Sequence, residues 1–464
     1  MKNSLRVLAP LLVLLLAPRA SLYAAEAGRP PAKPNIIFII ADDLGWADVA
    51  FHQGNVPTPQ LDRLKAGGVE LTQHYVYPVC SPTRSALLSG RYATRFGVTT
   101  PQNERAYRWD TVTLARALKS AGYDTALVGK WHLGSLPEQG PNHFGFDHSY
   151  GSLAGGVSPW NHRYKQGAFS HTWHRNEKLV EETGHVTDLL ASEAIRWLEA
   201  RGPAPFFLYL PFTAVHLPLK EPEEWVARVP TAVRGDVARH YGAAVMHLDD
   251  AVGRSLAAVE KQGRRENTLV VFTSDNGGST VENNDLKYPD DHCPTGKLTG
   301  NNRPLRGQKG DLHEGGIRVP TLVSWAGRLK PGTFAGVAHI SDWMPTFCAL
   351  AGYLPMKDLK WDGKNLWPSL TGAEPAKPRA IYVAAPGFSA QMLREGDWKL
   401  IVPKAGTVRK GGAEPREIEL YDLAKDPAET RNLAASLPER VAAMRARLTE
   451  LSQADRDAVA NDQY

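Results

Sequence analysis

A chain of 464 residues, 42% hydrophobic and 22% charged, has the composition of a soluble globular protein with one sizeable core and a smaller unit; it excludes a disordered chain, a membrane bundle and a disulfide-stapled mini-protein. The formal net charge is +5, and Lys2, Arg6 and Arg19 supply three of the positives within the first 25 positions, so the rest is near neutral and a general nucleic-acid binder is excluded. Cys80, Cys293 and Cys348 are the three cysteines and allow at most one bridge.

The N-terminus, MKNSLRVLAPLLVLLLAPRASLYAAEAG, has a basic start, a leucine-rich run and then small residues, the layout of a secretory signal over residues 1–25. The expected location is therefore secreted or periplasmic. Its apolar run is short against the roughly 20 residues of a membrane-spanning helix, so no stable membrane span is expected. The run NIIFIIAD then reads as a buried strand, followed by a helix over 58–66 capped by Thr58 with Pro59 first. VCSPTRSALLSGR reads as a helix entered at Cys80, and further helices fit 113–120, 186–200, 240–262 and 341–351. Between them DTALVGK, PFFLYLPF, TLVVFTSDN and RVPTLVSW read as buried strands. This alternation predicts an α/β fold, a large mixed, mostly parallel sheet sandwiched by helices, over 34–376. From 377 to 464 the texture changes: AIYVAAP, QMLREGDWKLIVP and EIELYDLAKDP read as antiparallel strands, and an amphipathic helix over 438–454 closes a smaller α+β subdomain.

The major strands end in polar residues: Asp42-Asp43, Lys130-Trp131-His132, His216 and Asp275-Asn276. Ligands bind at the carboxyl ends of strands in open α/β sheets, so the four clusters are expected to converge. Three carboxylates and an amide suit a hard cation, Ca²⁺ or Mg²⁺; the structural alternative makes them caps and turns. Lys130 and His132, in GKWHLG, pair a cation with a titratable ring, and Lys309 lies in the glycine-rich RGQKGDLHEGG; each also reads as an ordinary loop residue. Cys80 at a helix N-terminus, with Arg84 one turn on, reads from physics alone as a low-pKa thiolate. Cys348 sits in a helical pattern as a buried inert thiol, with pairing to Cys293 as the alternative.

CSPTRSALLSGR matches the C-x-P-x-R core of the sulfatase signature, with Ser89 where a threonine is more usual, and GYDTALVGKWHLG resembles the second signature. With the Asp-Asp strand end, VFTSDNG and YDLAKDPAETRNL, the chain resembles type I sulfatases of the alkaline-phosphatase-like superfamily over nearly all of its length after the signal. The resemblance implies that a maturation enzyme, reading Pro82 and Arg84, oxidises Cys80 to Cα-formylglycine, whose hydrate is the nucleophile. It implies one Ca²⁺ (Mg²⁺ as alternative) on Asp42, Asp43, Asp275, Asn276 and modified Cys80. Arg84 and Lys130 would hold the nucleophile, Lys309 and His216 would bind sulfate and protonate the leaving group, and His132 would take the proton that releases sulfate.

Aromatic and basic residues crowd FGFDHSYGSLAGGVSPWNHRYKQGAFSHTWHRN: His148, Trp160, His162, Arg163, Trp173 and His174. Trp160, His162 and Arg163 are the expected sugar contacts, against a purely structural glycine-rich loop. The layout is similar to N-acetylgalactosamine-4-sulfatase-like members, implying a sulfated carbohydrate of galactose or N-acetylgalactosamine type, with aryl sulfates as assay substrates. Three other readings compete: a phosphonate or phosphodiester hydrolase of the same superfamily, a non-catalytic glycan-binding homologue, and a plain thiol nucleophile.

Overall fold

Every position of NIIFIIA after Asn35 is apolar, and in the computed structural model, which describes residues 33–284, 288, 291–407 and 417–460, both faces of that strand are covered. The expected signal over 1–25 lies outside the described residues. In chain order the large sheet comprises β1 (Asn35–Ala41), β2 (Val69–Leu71), β3 (Asp124–Lys130), β4 (His148–Ser152), β5 (Trp173–Arg175), β6 (Lys178–Leu179), β7 (Phe206–Pro211), β8 (Thr268–Ser274), β9 (Leu322–Ser324) and β10 (Gly332–Phe334). Their spatial order is β10-β2-β9-β8-β1-β7-β3-β4-β5-β6. The central strands β8, β1, β7, β3 and β4 run parallel. β9 runs antiparallel to both of its neighbours, an orientation that its apolar run does not encode.

The α-helices of seven residues or more among the described residues are α1 (Pro59–Ala66), α2 (Cys80–Ser89), α3 (Leu114–Ser120), α4 (Val186–Glu199), α5 (Asp236–Lys261), α6 (Trp343–Ala351) and α7 (Pro438–Ser452). Strand alternation sends Ile36, Phe38 and Ile40 into one core with α2, α3 and α6. Ile37, Ile39 and Ala41 enter the other, with α1, α4 and α5. Each fully buried aliphatic or aromatic side chain contributes about 1.5–3 kcal/mol, so two-sided burial fixes the central strands firmly beneath whatever their ends carry.

Two expectations are corrected in detail. Thr58 does not cap α1: its hydroxyl accepts from Ala50 N at 2.9 Å, while Asp249 of α5 accepts from Gln60 N and Leu61 N at 3.0 and 2.8 Å. α5 starts a turn earlier than expected, at Asp236, behind Gly235 with φ 92°. Cys348 is a free thiol buried in α6, so there is no Cys293–Cys348 bridge.

A second, antiparallel sheet follows, β11 (Ala380–Ala384), β12 (Ala390–Glu395), β13 (Trp398–Pro403) and β14 (Glu419–Asp422) in that spatial order. Met444 and Leu448 of α7 pack on its Leu393, Leu400 and Leu420. Lys399 on β13 is fully buried, its Nζ 3.0 Å from Glu314 and 2.8 Å from Glu429.

Candidate active site

Because β7 and β8 flank β1, and β3 lies beyond β7, the carboxyl ends of these strands deliver their polar residues to one place. β3 reaches it only because Gly129 has φ 137° and no side chain; a Cβ there would lie 1.9 Å from Pro211 O. Asp42 and Asp43 leave β1 buried, Asp43 with φ 63°. Lys130 Nζ stands 2.6 Å from Asp42 Oδ2, and Lys309 Nζ 2.7 Å from Asp43 Oδ2. Arg84, wholly buried, donates from Nε and Nη2 to Asp275 Oδ2 at 3.1 and 2.7 Å and from Nη1 to Lys130 O at 2.8 Å.

The entry of α2 brings Cys80 Sγ to 3.7 Å from Asp42 Oδ1. Two residues inside the C-x-P-x-R match, which sequence reasoning left without a role, secure it. Ser81 Oγ donates to His132 O at 2.9 Å, and Thr83 Oγ1 donates to Asp275 O at 2.6 Å. A cavity of about 390 Å³ opens above them, lined by Cys80, His132, His216 and Lys309 among others.

Burial pushes the Cys80 thiol up to about 12, outweighing the pull of Lys130 and Lys309. The low-pKa thiolate expected from the helix N-terminus is therefore corrected: desolvation defeats the helix end, and the group at the base of the cavity is a protonated, weakly nucleophilic thiol. Burial, with Lys130 and Arg84, holds His132 well below its usual value. Both His132 ring nitrogens are buried without a hydrogen-bond partner among the described residues, so the neutral ring is open to a hydrogen bond from a group brought into the cavity. Burial and Lys309 likewise keep His216 neutral, its Nδ1 on Leu217 O and its Nε2 3.8 Å from Asp43.

The donor set fits a hard divalent cation. Burial first and the charge of Asp275 next push Asp42 up to about 7 even with Lys130 upon it, so the acidic cluster lacks positive charge. Asn276 donates from Nδ2 to Asp43 Oδ1 at 2.8 Å and leaves its buried Oδ1 unpartnered. Three carboxylates and an orphaned amide oxygen are the oxygen ligands that Ca²⁺ or Mg²⁺ takes.

The family model described as Sulfatase matches residues 34–353. The chain belongs to the sulfatase family. It is 33% identical to mouse arylsulfatase J over 76% of this chain and 59% of that one, and 32% identical to rat N-acetylgalactosamine-6-sulfatase over 77% and 69%. The chain thus spans about three fifths of the length of the mouse relative. The crystal structure of Ps i-CgsB in complex with k-i-k-neocarrahexaose superposes with a TM-score of 0.80 at 30% identity, covering 93% of this chain and 95% of that one. The alkaline-phosphatase-like architecture expected of a sulfatase is thereby present, antiparallel C-terminal sheet included.

In this sulfatase the expected sugar contacts do not join the catalytic cluster. Trp160, His162 and Arg163 line a separate cavity of about 490 Å³. His162 is buried, stacked 4.7 Å from the Trp173 ring, with Nε2 on Gly184 O, and Arg163 pairs with Glu181 at 2.8 Å. His174 is buried on Ser149 Oγ and Gly151 O, and His148 pairs with Glu193. Tyr164 and Lys165, from the same loop, line the catalytic cavity instead. A turn at Ser158–Arg163 separates them, which composition alone cannot show.

Gly155 is a positioning residue that the sequence did not mark. A Cβ there would meet the His132 ring at 2.4 Å. Gly155→Ala is expected to fold and to lower kcat about a hundredfold by displacing the ring, with KM little changed; steady-state kinetics on an aryl sulfate check it.

A second histidine cluster needs no ion. His185 Nδ1 accepts from Thr187 N, so Nε2 carries the proton and faces Glu221 at 3.4 Å; both ring nitrogens of His247 face carboxylates, Glu221 at 2.7 Å and Asp188 at 3.2 Å. Burial works to lower His247, but Asp188 and Glu221 outweigh it and raise it to about 9. Stability from a raised imidazole is complete below its unfolded value and is lost as pH climbs through the folded one. Urea unfolding is expected to show wild type losing about 2 kcal/mol more than His247→Gln between pH 6.5 and 9.

Proposed function

We propose that this chain hydrolyses the sulfate ester of a sulfated carbohydrate, of galactose or N-acetylgalactosamine type, after export to the periplasm or the outside of the cell. We propose further that Cys80 is the precursor of a Cα-formylglycine made by a maturation enzyme, and that Asp42, Asp43, Asp275 and Asn276 hold Ca²⁺. The carrying observation is the wholly buried, protonated Cys80 set among Asp42, Arg84 and Lys130. Such a thiol is a poor nucleophile, yet it is ringed by the positive charges of Lys130, Lys309 and Arg84 together with carboxylates that suit a cation. The rat N-acetylgalactosamine-6-sulfatase and the neocarrahexaose complex support the choice of sugar.

When present, the aldehyde hydrate supplies a hydroxyl nucleophile and the ion polarises the sulfuryl oxygens. The chain's own groups do the rest. Arg84 and Lys130, fixed by Asp275 and Asp42, place preorganised positive charge beside the reacting sulfur and stabilise the negative charge that develops there, an effect worth roughly 3–4 kcal/mol per donor. Lys309 is held charged by Asp43, which outweighs its burial, and with His216 it grips a sulfate oxygen and supplies the departing alkoxide with its proton. His132 takes a proton at a ring nitrogen and so permits sulfate to leave.

The test is a panel of defined sulfated mono- and oligosaccharides, following free sulfate, with a chelator-treated arm and the mass of the Cys80 peptide. Hydrolysis of galactose-type sulfates, loss on chelation, recovery with Ca²⁺ and an aldehyde mass are expected. Turnover of aryl esters alone would overturn the carbohydrate assignment, and a fully active protein whose Cys80 is wholly thiol would overturn the formylglycine.

A further inference from the structure

The glycine-rich loop after β4 carries Arg163 and Lys165, Arg175 follows at the end of β5, and two of these three cations are spent. Arg163 is paired with Glu181 and bonded to His171 Nδ1 at 2.6 Å; Arg175 is paired with Glu182 and Glu193. Lys165 differs from both. It lines the catalytic cavity, it is half-buried, and among the described residues no carboxylate lies within ion-pair distance of it. Its ammonium instead stands 5.2 Å from the centroid of the Tyr164 ring.

That ring is part of a stiff wall. Tyr164 is buried and meets Tyr288 edge to face at 6.1 Å, packed with Ala154 and Leu217. Lys309, the other lysine lining the cavity among the described residues, has its charge met by Asp43 at 2.7 Å. Among the described residues the acid on the same rim is Glu282, which is exposed. An ammonium that has lost part of its water and, among the described residues, rests on a ring face gains from any anion brought to it, because charge-assisted bonds strengthen as water is excluded. A ligand seated with one sulfate over Cys80 brings its remaining substituents along this wall.

We infer that Lys165 selects substrates bearing a second anionic group, a further sulfate or a carboxylate, close to the sulfate that is cleaved. The inference rests on the sulfatase reading above and sharpens it: the preferred substrate is a dianionic sugar unit rather than a monosulfated one. The loop residue that reads charge is Lys165, while Arg163 keeps the loop folded by its contacts to Glu181 and His171.

The experiment compares kcat and KM of wild type, Lys165→Met and Lys165→Arg on three disaccharides of one galactose-type backbone: monosulfated, disulfated, and monosulfated with a carboxylate on the neighbouring sugar. Wild type is expected to prefer one dianionic sugar over the monosulfated one by roughly tenfold in kcat/KM, carried by KM. Lys165→Met should bring that ratio to about one and Lys165→Arg should keep most of it, and whichever dianion shows the collapse identifies the anion. Equal melting curves for the three proteins establish that the loss is local. A wild-type ratio near one, or a Met variant with the wild-type ratio, overturns the role of Lys165 and leaves the sulfatase reading standing. Hydrolysis of an aryl sulfate but of none of the sugars overturns both.

Discussion

Cys80→Ala is expected to reduce sulfate-ester hydrolysis by at least about a thousandfold while the protein folds and melts close to wild type. The sulfur is buried at the first position of α2, and its loss leaves a small cavity costing on the order of 1 kcal/mol. Its hydrogen-bonding contact, 3.7 Å from Asp42 Oδ1, is weak, and the anchors of the helix entry are Ser81, Thr83 and Arg84. Activity therefore falls without the scaffold. The decisive comparison is with thiol alkylation of wild type. If Cys80 acts as a thiol, iodoacetamide inactivates; if it acts only after conversion, the mature fraction resists alkylation and reacts with hydroxylamine-type aldehyde probes. A Cys80→Ala protein retaining a tenth or more of wild-type activity would remove Cys80 from the chemistry altogether.

Much of this site was legible in the chain because its residues sit where strands stop. A largely apolar run ending in Asp-Asp, Gly-Lys or Asp-Asn declares both a buried strand and the point at which burial gives way to chemistry, and two-sided burial of β1, β7 and β8 makes the convergence geometric. What the chain concealed depends on contacts between distant segments. The cap of α1 comes from Asp249, which no local pattern links to Pro59. The pKa of Cys80 was misjudged because a helix N-terminus is visible in sequence whereas total burial is not. Trp160, His162 and Arg163 look like sugar contacts by composition, yet a turn directs them into a neighbouring cavity and leaves Tyr164 and Lys165 at the catalytic one. Gly155 carries no signal beyond being a glycine; only the His132 ring beside it gives the missing side chain a meaning.

Lys399→Met is expected to cost about 3–5 kcal/mol of stability, the largest single loss away from the catalytic cavity. The side chain keeps its length, but the charge between Glu314 and Glu429 disappears, and all three groups are fully buried. Two carboxylates then face each other in a low dielectric, tied together by Glu314 N donating to Glu429 Oε2 at 2.7 Å. Burial already raises Glu429, while Glu314 is kept low, against its own burial, by Lys399 and the arginines Arg318 and Arg394. Without Lys399 the folded state holds a proton that the unfolded state has released. The deficit should therefore be smaller at pH 5 than at pH 8, because stability tied to a raised carboxyl is lost as pH rises. Glu429→Gln added to Lys399→Met should recover more than half of the loss, read by urea unfolding. A double variant no more stable than Lys399→Met alone would show that lost packing, and not the uncompensated charge, is the cause. The same lock bears on catalysis, because Glu314 adjoins the closure of the loop that carries Lys309, made by Gly315 N on Arg306 O, with Gly310 N on Pro78 O. Arg306 in turn reaches Tyr421 Oη at 2.7 Å and Glu429 O at 2.9 Å on the C-terminal side. Loosening the C-terminal sheet at Lys399 thus loosens Lys309, and the surviving Lys399→Met enzyme should show a raised KM for sulfate esters that the second substitution lowers again.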